Sequence, residues 1–165
     1  GLGQTTKLTA QYVASSSKTR ALVIDDSQEW INVFQSETSH IKNLRIKKLA
    51  LRDFAHDGVR VDNAEYDGLE KTIEKDKFNL VIVDGPIGFG KKYSRTNILS
   101  IVNNLAKDWI VIFDDAERSG EQNTVKVFRQ ELSKQKILYG EFQVSALKTQ
   151  HYFCANQLAD LLINI

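Results

Sequence analysis

Hydrophobic and polar positions along this chain follow two alternating patterns. Apolar residues recur at helical spacing in some segments and form short continuous runs in others. Helices are predicted at Thr5–Ser15 and Leu69–Lys75, and a further helix is predicted to start at Ser94. A helix that carries Trp30, Ile31 and Phe34 is predicted to follow a cap at Asp26 or Ser27. The last one is predicted to start at Ser119, with a capping box to Gln122. The predicted strands are Arg20–Asp25, Leu44–Leu51, Phe78–Val83, Trp109–Phe113, Tyr139–Leu147 and His151–Ala155. This alternation predicts an α/β fold built on a parallel sheet.

Two of the predicted strands are almost entirely apolar. Phe78–Val83 reads FNLVIV and Trp109–Phe113 reads WIVIF. Such runs are typical of central parallel strands that are covered on both faces. Residues 53–67 are polar and are predicted to be irregular, while Leu158–Ile165 is predicted to be a closing helix or strand. We expect Trp30 and Trp109 to lie in the core.

The last two strands are joined by a very short connection. Only Lys148, Thr149 and Gln150 separate Tyr139–Leu147 from His151–Ala155. A crossover between parallel strands needs a dozen or more residues, so this connection predicts an antiparallel hairpin.

Acidic residues follow three of the predicted strands. They are Asp25 with Asp26, Asp84, and Asp114 with Asp115. Ligands of open α/β sheets bind beyond the carboxyl ends of the strands, so these acids indicate a binding site along one edge. Helix capping explains any one of them equally well, but three consecutive strand ends carrying acids favour a site.

The first residues of the chain have the pattern of a nucleoside-binding turn. Gly1 and Gly3 precede a helix, and Asp25 ends the next strand. Glycines before a helix, with an acid about 20 residues later, are typical of sites that hold an adenosine-type ligand. The backbone approaches the ligand at the glycines, and the carboxylate accepts hydrogen bonds from ribose hydroxyls.

Together these segments resemble a known family. GLGQTT at the start, Asp25, VDGP at 83–86, IFDD at 112–115 and the terminal hairpin are similar to class I S-adenosylmethionine-dependent methyltransferases. VDGPIGFGKKYSR followed by IVIFDDAERSGE looks most like the branch that includes polysaccharide O-methyltransferases of the glucuronoxylan type, in which a D-D-x-x-R-x-x-E segment recurs.

The resemblance implies one domain over residues 1–165 with a three-layer Rossmann-like fold. Its sheet would be mostly parallel, in the order 3-2-1-4-5-7-6, with an antiparallel strand at the C-terminal end. In that family a strand precedes the glycine turn, and we therefore expect a strand N-terminal to Gly1 in the intact protein. The implied activity is methyl transfer from S-adenosylmethionine to an oxygen of a sugar, a saccharide or another small hydroxyl acceptor.

The resemblance also assigns roles to individual residues. The cofactor-binding residues would be Gly1, Gly3, Asp25, Asp84 and Gly85. The catalytic residues would be Asp84, which orients or deprotonates the acceptor hydroxyl, and Asp115, which supports it. A divalent metal ion, if the site holds one, would bind Asp84, Asp114 and Asp115. Arg95 and Arg118 would bind an anionic group of the substrate, unless each only balances charge locally.

The composition of the chain limits the kinds of partner that we expect it to bind. The net charge of +1 supplies no field that would steer nucleic acid to the chain, so we expect none. No apolar run approaches the length of a membrane span. Cys154 is the single cysteine and is predicted to be a buried structural thiol in a reducing, cytoplasmic protein.

Other functions share parts of this pattern. A receiver domain would use Asp25, Asp26 and Asp84 as its acidic pair and phosphoacceptor, although the spacing from Asp26 to Asp84 is long for that class. A Rossmann dehydrogenase shares the glycine turn but not the terminal hairpin. A binding module that keeps the methyltransferase fold without catalysis stays open, because a fold does not determine a function.

Overall fold

The computed structural model describes residues 3–159. The chain divides into two compact units, and the division falls between Leu51 and Arg52. The first unit contains four elements: α1 (Gln4–Ser15), β1 (Ala21–Asp25), α2 (Gln28–Thr38) and β2 (Leu44–Lys48). These elements confirm the predicted order helix, strand, helix, strand.

A parallel pair of strands forms the centre of the first unit. β1 and β2 run in register from Ala21 opposite Leu44 to Asp25 opposite Lys48. Both helices contact β1. The α2 helix begins after Ser27, whose hydroxyl accepts a hydrogen bond from the backbone N–H of Trp30 at 3.3 Å, as expected of a capping serine. Trp30 itself is 55% exposed, so its predicted place in the core is wrong.

The second unit holds the remaining helices and strands. They are β3 (Leu51–His56), β4 (Val59–Tyr66), α3 (Leu69–Ile73), β5 (Phe78–Val83), α4 (Ile98–Ile101), β6 (Leu105–Phe113), α5 (Ser119–Lys134), β7 (Tyr139–Ser145) and β8 (Thr149–Ala155). Short 3-10 turns follow α4 and β8. The predicted strand Phe78–Val83 is confirmed residue for residue.

The main sheet of this unit has four strands in the order β5-β6-β8-β7. β5 and β6 are parallel, whereas β8 is antiparallel to both β6 and β7. The antiparallel terminal hairpin is therefore confirmed, with its turn two residues earlier than predicted. The mostly parallel character is not confirmed, because the sheet is mixed. The complete strand order spans both units and stays a prediction.

The core of the second unit lies between this sheet and α5. Three phenylalanine rings of β6, α5 and β8 meet edge to face with centroids 5.1 to 5.9 Å apart, and all three are fully buried: Phe113, Phe128 and Phe153. Val125 and Leu132 lie on the same apolar face of α5 as Phe128 and are buried as well. The capping box from Ser119 is wrong, because Arg118 occupies the N-cap position and the helix has no side-chain cap.

The prediction of irregular structure for residues 53–67 is also wrong. β3 and β4 form a two-stranded sheet joined by Asp57 and Gly58. Both turn residues have positive φ, 48° and 72°, as a two-residue hairpin turn of type I′ requires. Val61 is buried on β4 while its neighbour Asp62 is exposed, so the apolar face is easily overlooked among the charged residues of the other face.

Two smaller expectations have clear outcomes. The helix expected from Ser94 begins only at Ile98, and residues 93–98 form a fully buried segment. Cys154 is completely buried, as predicted, and this burial raises the pKa of its thiol. Among residues 3–159, none of the helices has both the length and the apolar character that crossing a membrane requires.

Candidate functional site

The residues predicted to bind cofactor and substrate fall into both units. Gly3 and Asp25 belong to the first unit, and Gly1 lies outside the described residues. The others belong to the second unit: Asp84, Gly85, Arg95, Asp114, Asp115 and Arg118. Each group is described within its own unit.

Gly3 and Asp25 keep features that suit a nucleoside. Gly3 is the N-cap of α1, and a Cβ added there would meet no atom within 4 Å. The first turn of α1 contains no acid that would compete with an anionic or electron-rich ligand for its N–H groups. Asp25 ends β1, is only 7% exposed, and accepts a hydrogen bond from the backbone N–H of Ser27 at 2.8 Å. Gly3 and Asp25 therefore fit the S-adenosylmethionine cofactor that the resemblance implies.

The acids of the second unit form one cluster. Asp84 follows β5, while Asp114 and Asp115 follow β6, and a carboxylate oxygen from each lies within 4.8 Å of the others. Because β5 and β6 are parallel neighbours, their carboxyl ends meet at one edge of the sheet. The backbone N–H of Asp114 donates to the carbonyl of Val83 at 3.2 Å and fixes the two strand ends together. The structure thus brings together the three acids selected from the sequence.

Arg95 is the centre of this cluster. Its side chain is only 4% exposed, and its guanidinium lies 2.9 Å from Asp115, 3.6 Å from Asp84 and 3.5 Å from Glu121. The same group donates to the backbone carbonyl of Asp114 at 2.7 Å. Arg95 therefore holds the ends of both strands through side-chain and backbone contacts.

Glu121 is a member of the cluster that the sequence reasoning did not select. It lies in the first turn of α5, and its side chain is fully buried against Arg95. A carboxylate at this position is costly to bury unless a cation accompanies it. The residue does stand in the D-D-x-x-R-x-x-E segment, which was the available signal.

Two further cations contact Asp115 from the surface. Arg118 is 37% exposed and lies 2.9 Å from the Oδ2 atom that Arg95 also contacts. Lys148 is 54% exposed and places its Nζ 2.7 Å from Asp115 Oδ1 and 3.2 Å from Asp114 Oδ2. Lys148 was also missed, because from the sequence it appeared to be only a turn residue.

The charges around Asp115 determine its ionisation. Burial opposes its ionisation, but the hydrogen bonds from Lys148 and Arg95 outweigh burial and hold the pKa of Asp115 below its ordinary value. The pKa of Lys148 is raised, chiefly by its hydrogen bond to Asp115 and then by that to Asp114. Both groups are therefore charged at neutral pH.

The backbone of the cluster is conformationally unusual. Arg95 and Asp115 have positive φ values of 56° and 54°. Residues other than glycine adopt this region at a cost on the order of 1–3 kcal/mol, and such residues persist where the surrounding structure requires them. These two residues also form a buried ion pair with each other at 2.9 Å.

The same geometry tests whether a divalent metal ion fits the three acids. Mg²⁺ and Ca²⁺ need carboxylate oxygens free for direct coordination. Both oxygens of Asp115 already face cations, and Asp114 faces Lys148 and the amide of Gln150 at 3.3 Å. The residues as arranged do not fit a metal ion, because donors of the chain already contact the carboxylate oxygens of Asp114 and Asp115.

The loop after Asp84 is held against α5 by a glycine. Gly88 is buried, and a Cβ there would lie 2.7 Å from Ser94 Oγ and 2.9 Å from Glu121 Oε1. Its neighbours Phe89 and Gly90 are exposed, so Gly88 is the point at which this loop enters the interior. The absence of a side chain at Gly88 is what lets the loop approach the buried Glu121.

Replacing this glycine tests the packing of the loop. We expect Gly88→Ala to lower the free energy of unfolding by about 1–3 kcal/mol, since the added methyl group overpacks a closed site. Urea denaturation measures the change. Equal stability of Gly88→Ala and the wild type would contradict this account.

Comparison with known proteins identifies the fold. No protein-family model matches the chain, and no curated protein is significantly similar in sequence. Among solved structures, the chain is similar to a methyltransferase from Geobacter sulfurreducens, with a TM-score of 0.50 and 14% identity over 86% of this chain. The chain spans 60% of the length of that protein.

Two other solved structures are similar at lower scores. The N-methyltransferase NodS from Bradyrhizobium japonicum WM9 has a TM-score of 0.48 and 13% identity, over 89% of this chain and 80% of its own. A methyltransferase from Pyrococcus furiosus has a TM-score of 0.49 and 10% identity, over 91% and 70%. At these identities the likeness concerns the fold alone. The fold is α/β and similar to Rossmann-like methyltransferases, and this conclusion rests on the Geobacter structure.

Proposed function

We propose that this chain is an S-adenosylmethionine-dependent methyltransferase that methylates an oxygen of a sugar, a saccharide or another small hydroxyl acceptor. The observation that carries the proposal is the cluster of Asp84, Asp114 and Asp115 at the carboxyl ends of two parallel strands, organised by the buried Arg95. The similarity of the fold to a solved methyltransferase structure supports the same proposal.

The proposed cofactor residues are Gly1, Gly3 and Asp25, with Asp84 and Gly85 after β5. Gly3 and the first N–H groups of α1 would contact the amino-acid part of the cofactor, and Asp25 would accept hydrogen bonds from its ribose hydroxyls. When bound, S-adenosylmethionine supplies an electrophilic methyl group. The chain supplies alignment, on which a transfer of this kind chiefly depends.

Asp84 is the proposed catalytic base. Its side chain is 29% exposed, which makes it the most accessible acid of the cluster, whereas Asp115 is 4% exposed. A carboxylate in this position accepts the proton of an acceptor hydroxyl as the oxygen–carbon bond forms. Asp115 supports it indirectly, because both carboxylates contact the same guanidinium of Arg95.

The two arginines have different proposed relations to the acceptor. Arg118 is partly exposed at the edge of the cluster, so its guanidinium can pair with an anionic group such as a sugar carboxylate. Arg95 was also predicted to bind substrate. Because its side chain is buried and bonded on several sides, we propose that it affects the acceptor through the placement of Asp84.

The receiver and dehydrogenase alternatives fit the sheet less well. Both classes build on doubly wound sheets of parallel strands. In this chain β8 inserts antiparallel between β6 and β7. A binding module without catalysis has the same fold as the proposed enzyme, and only a turnover measurement separates the two.

Ligand binding tests the cofactor. In calorimetry we expect S-adenosylhomocysteine to bind and NAD not to bind. Asp25→Ala should weaken the binding of S-adenosylhomocysteine about 10- to 100-fold, since hydrogen bonds to a charged acceptor contribute about 1.5–3 kcal/mol. Asp26→Ala is the matched control: it removes the same charge one residue later and should leave the affinity unchanged. Binding of NAD alone would reject the proposal.

Turnover measurements test which class of acceptor the chain methylates. Formation of S-adenosylhomocysteine should be followed with a panel of neutral sugars, uronic acids and catechols. Preference for uronic acids that is lost in Arg118→Ala would assign the anionic group to Arg118. Binding of the cofactor without turnover on any of them would favour the non-catalytic module.

A further inference from the structure

We propose that the ammonium group of Lys148 is the resident cation of the acidic cluster, occupying the position that a divalent metal ion would otherwise take. Only the catalytic consequence of this inference rests on the proposed methyl transfer. The statement about binding concerns the native chain alone: Asp114 and Asp115 hold the ammonium of Lys148, and the acidic cluster holds no metal ion.

The contacts of Lys148 place its charge between two strand-end acids. Nζ lies 2.7 Å from Asp115 Oδ1 and 3.2 Å from Asp114 Oδ2. The other oxygen of Asp115 is occupied by Arg95 and Arg118, both at 2.9 Å. The ammonium therefore bridges one carboxylate oxygen of Asp114 and the buried Oδ1 of Asp115.

Backbone contacts hold Lys148 in this position. It is the last residue of the turn between β7 and β8, and the N–H of Ala146 donates to its carbonyl at 3.0 Å. The next residue, Thr149, accepts a hydrogen bond from the backbone N–H of Ala116 at 2.7 Å and donates to the Glu117 carboxylate at 2.8 Å. The turn is thus bound to the segment that follows Asp115, so the ammonium is placed by the fold as well as by charge.

The formal charges of the acidic cluster are consistent with an ammonium group, and not a divalent ion, between Asp114 and Asp115. The cluster contains four carboxylates, those of Asp84, Asp114, Asp115 and Glu121, and three cations, those of Arg95, Arg118 and Lys148. One negative charge remains, and Asp84 is the most exposed of the four acids. A divalent ion added to this set would reverse the sign of the cluster and would meet Lys148 at close range.

Lys148 also has a donor to offer to a substrate. An ammonium group has three N–H donors, and the contacts with Asp114 and Asp115 use two of them. The side chain is 54% exposed, so the third donor is accessible to an acceptor molecule. In the proposed methyl transfer this donor would hold the acceptor oxygen whose proton Asp84 accepts, a role that other enzymes give to a metal ion.

The test is a titration of the full chain with Mn²⁺ alone, followed by calorimetry. Wild type should bind Mn²⁺ weakly or not at all. Lys148→Met should bind one Mn²⁺ more tightly, by on the order of tenfold or more, because the competing positive charge is gone. Lys134→Met is the matched control, since Lys134 is an exposed lysine that pairs with Glu131 on α5, away from the acidic cluster, and it should behave as wild type.

A second variant locates the gained site. Adding Asp114→Asn to Lys148→Met should remove the gained Mn²⁺ binding. Tight binding of Mn²⁺ by wild type would overturn the inference without any variant, and so would a Lys148→Met chain that folds and gains no binding. The titration uses neither cofactor nor acceptor, so its result stands or falls separately from the proposed methyl transfer.

Discussion

Asp84→Asn lowers kcat about 10²- to 10⁴-fold, the contribution typical of a positioned general base. The amide has nearly the same shape as the carboxylate but cannot accept the proton of the acceptor hydroxyl. Asp84 is the accessible acid of the cluster, and the other contacts of Arg95 with Asp115 and Glu121 remain in the variant. We therefore expect the fold to be retained while turnover is lost.

The measurement is steady-state formation of S-adenosylhomocysteine at saturating S-adenosylmethionine, with the midpoint of urea unfolding as the check on the fold. Asp62→Asn is the matched control, because it makes the same chemical change at an exposed position of β4 in the same unit. It should leave kcat unchanged. Wild-type turnover by Asp84→Asn would reject the role of Asp84 and leave only its contact with Arg95.

Arg95→Met lowers the free energy of unfolding by about 3–5 kcal/mol, as is typical when one partner of a buried ion pair is removed. The cost does not come chiefly from the lost attraction. Asp115 and Glu121, 4% and 0% exposed, would lose their main buried counter-ion, and leaving buried carboxylates without a cation is costly. The hydrogen bond to the carbonyl of Asp114 would be lost as well.

Urea denaturation of the wild type and the variant measures this difference. Arg60→Met is the matched control, since Arg60 also pairs with an aspartate, Asp53, but is 76% exposed. It should leave the midpoint of unfolding unchanged, because exposed pairs contribute little. Adding Glu121→Leu to Arg95→Met should recover part of the lost stability by removing one uncompensated charge. An Arg95→Met chain as stable as Arg60→Met would contradict the buried-cluster account.

Some residues of the site were accessible to sequence reasoning because local patterns determine them. The apolar run Phe78–Val83 forms β5 as predicted, and the acid that follows it lies at the edge of the sheet. The same holds for Asp114 and Asp115 after β6. An apolar run that ends in an acid specifies both the strand and the place of the acid, since the side chain after the last buried residue emerges at the strand end.

The β3–β4 hairpin shows where local reasoning was insufficient. Asp57 and Gly58 are a strong turn signal between two alternating segments, yet the outward face of β4 carries Arg60 and Asp62 and conceals the buried Val61. In a strand with one polar face, every second residue is polar, so its sequence looks like that of an irregular polar segment. Only the alternation of apolar and polar residues distinguishes the two. The signal for the β3–β4 hairpin is therefore present in the sequence, in its turn residues and in the alternation of β4.

By itself, the sequence determined the alternation of strands and helices, the closing antiparallel hairpin and the three acids that follow β5 and β6. Only the tertiary structure decided that Arg95 is buried among them, that Glu121 accompanies it, and that Lys148 lies between Asp114 and Asp115. The reason is physical: a strand and the acid at its end follow from neighbouring residues. An ion pair between Lys148 and Asp114, which are 34 residues apart, depends on how β6, α5 and the last hairpin pack together.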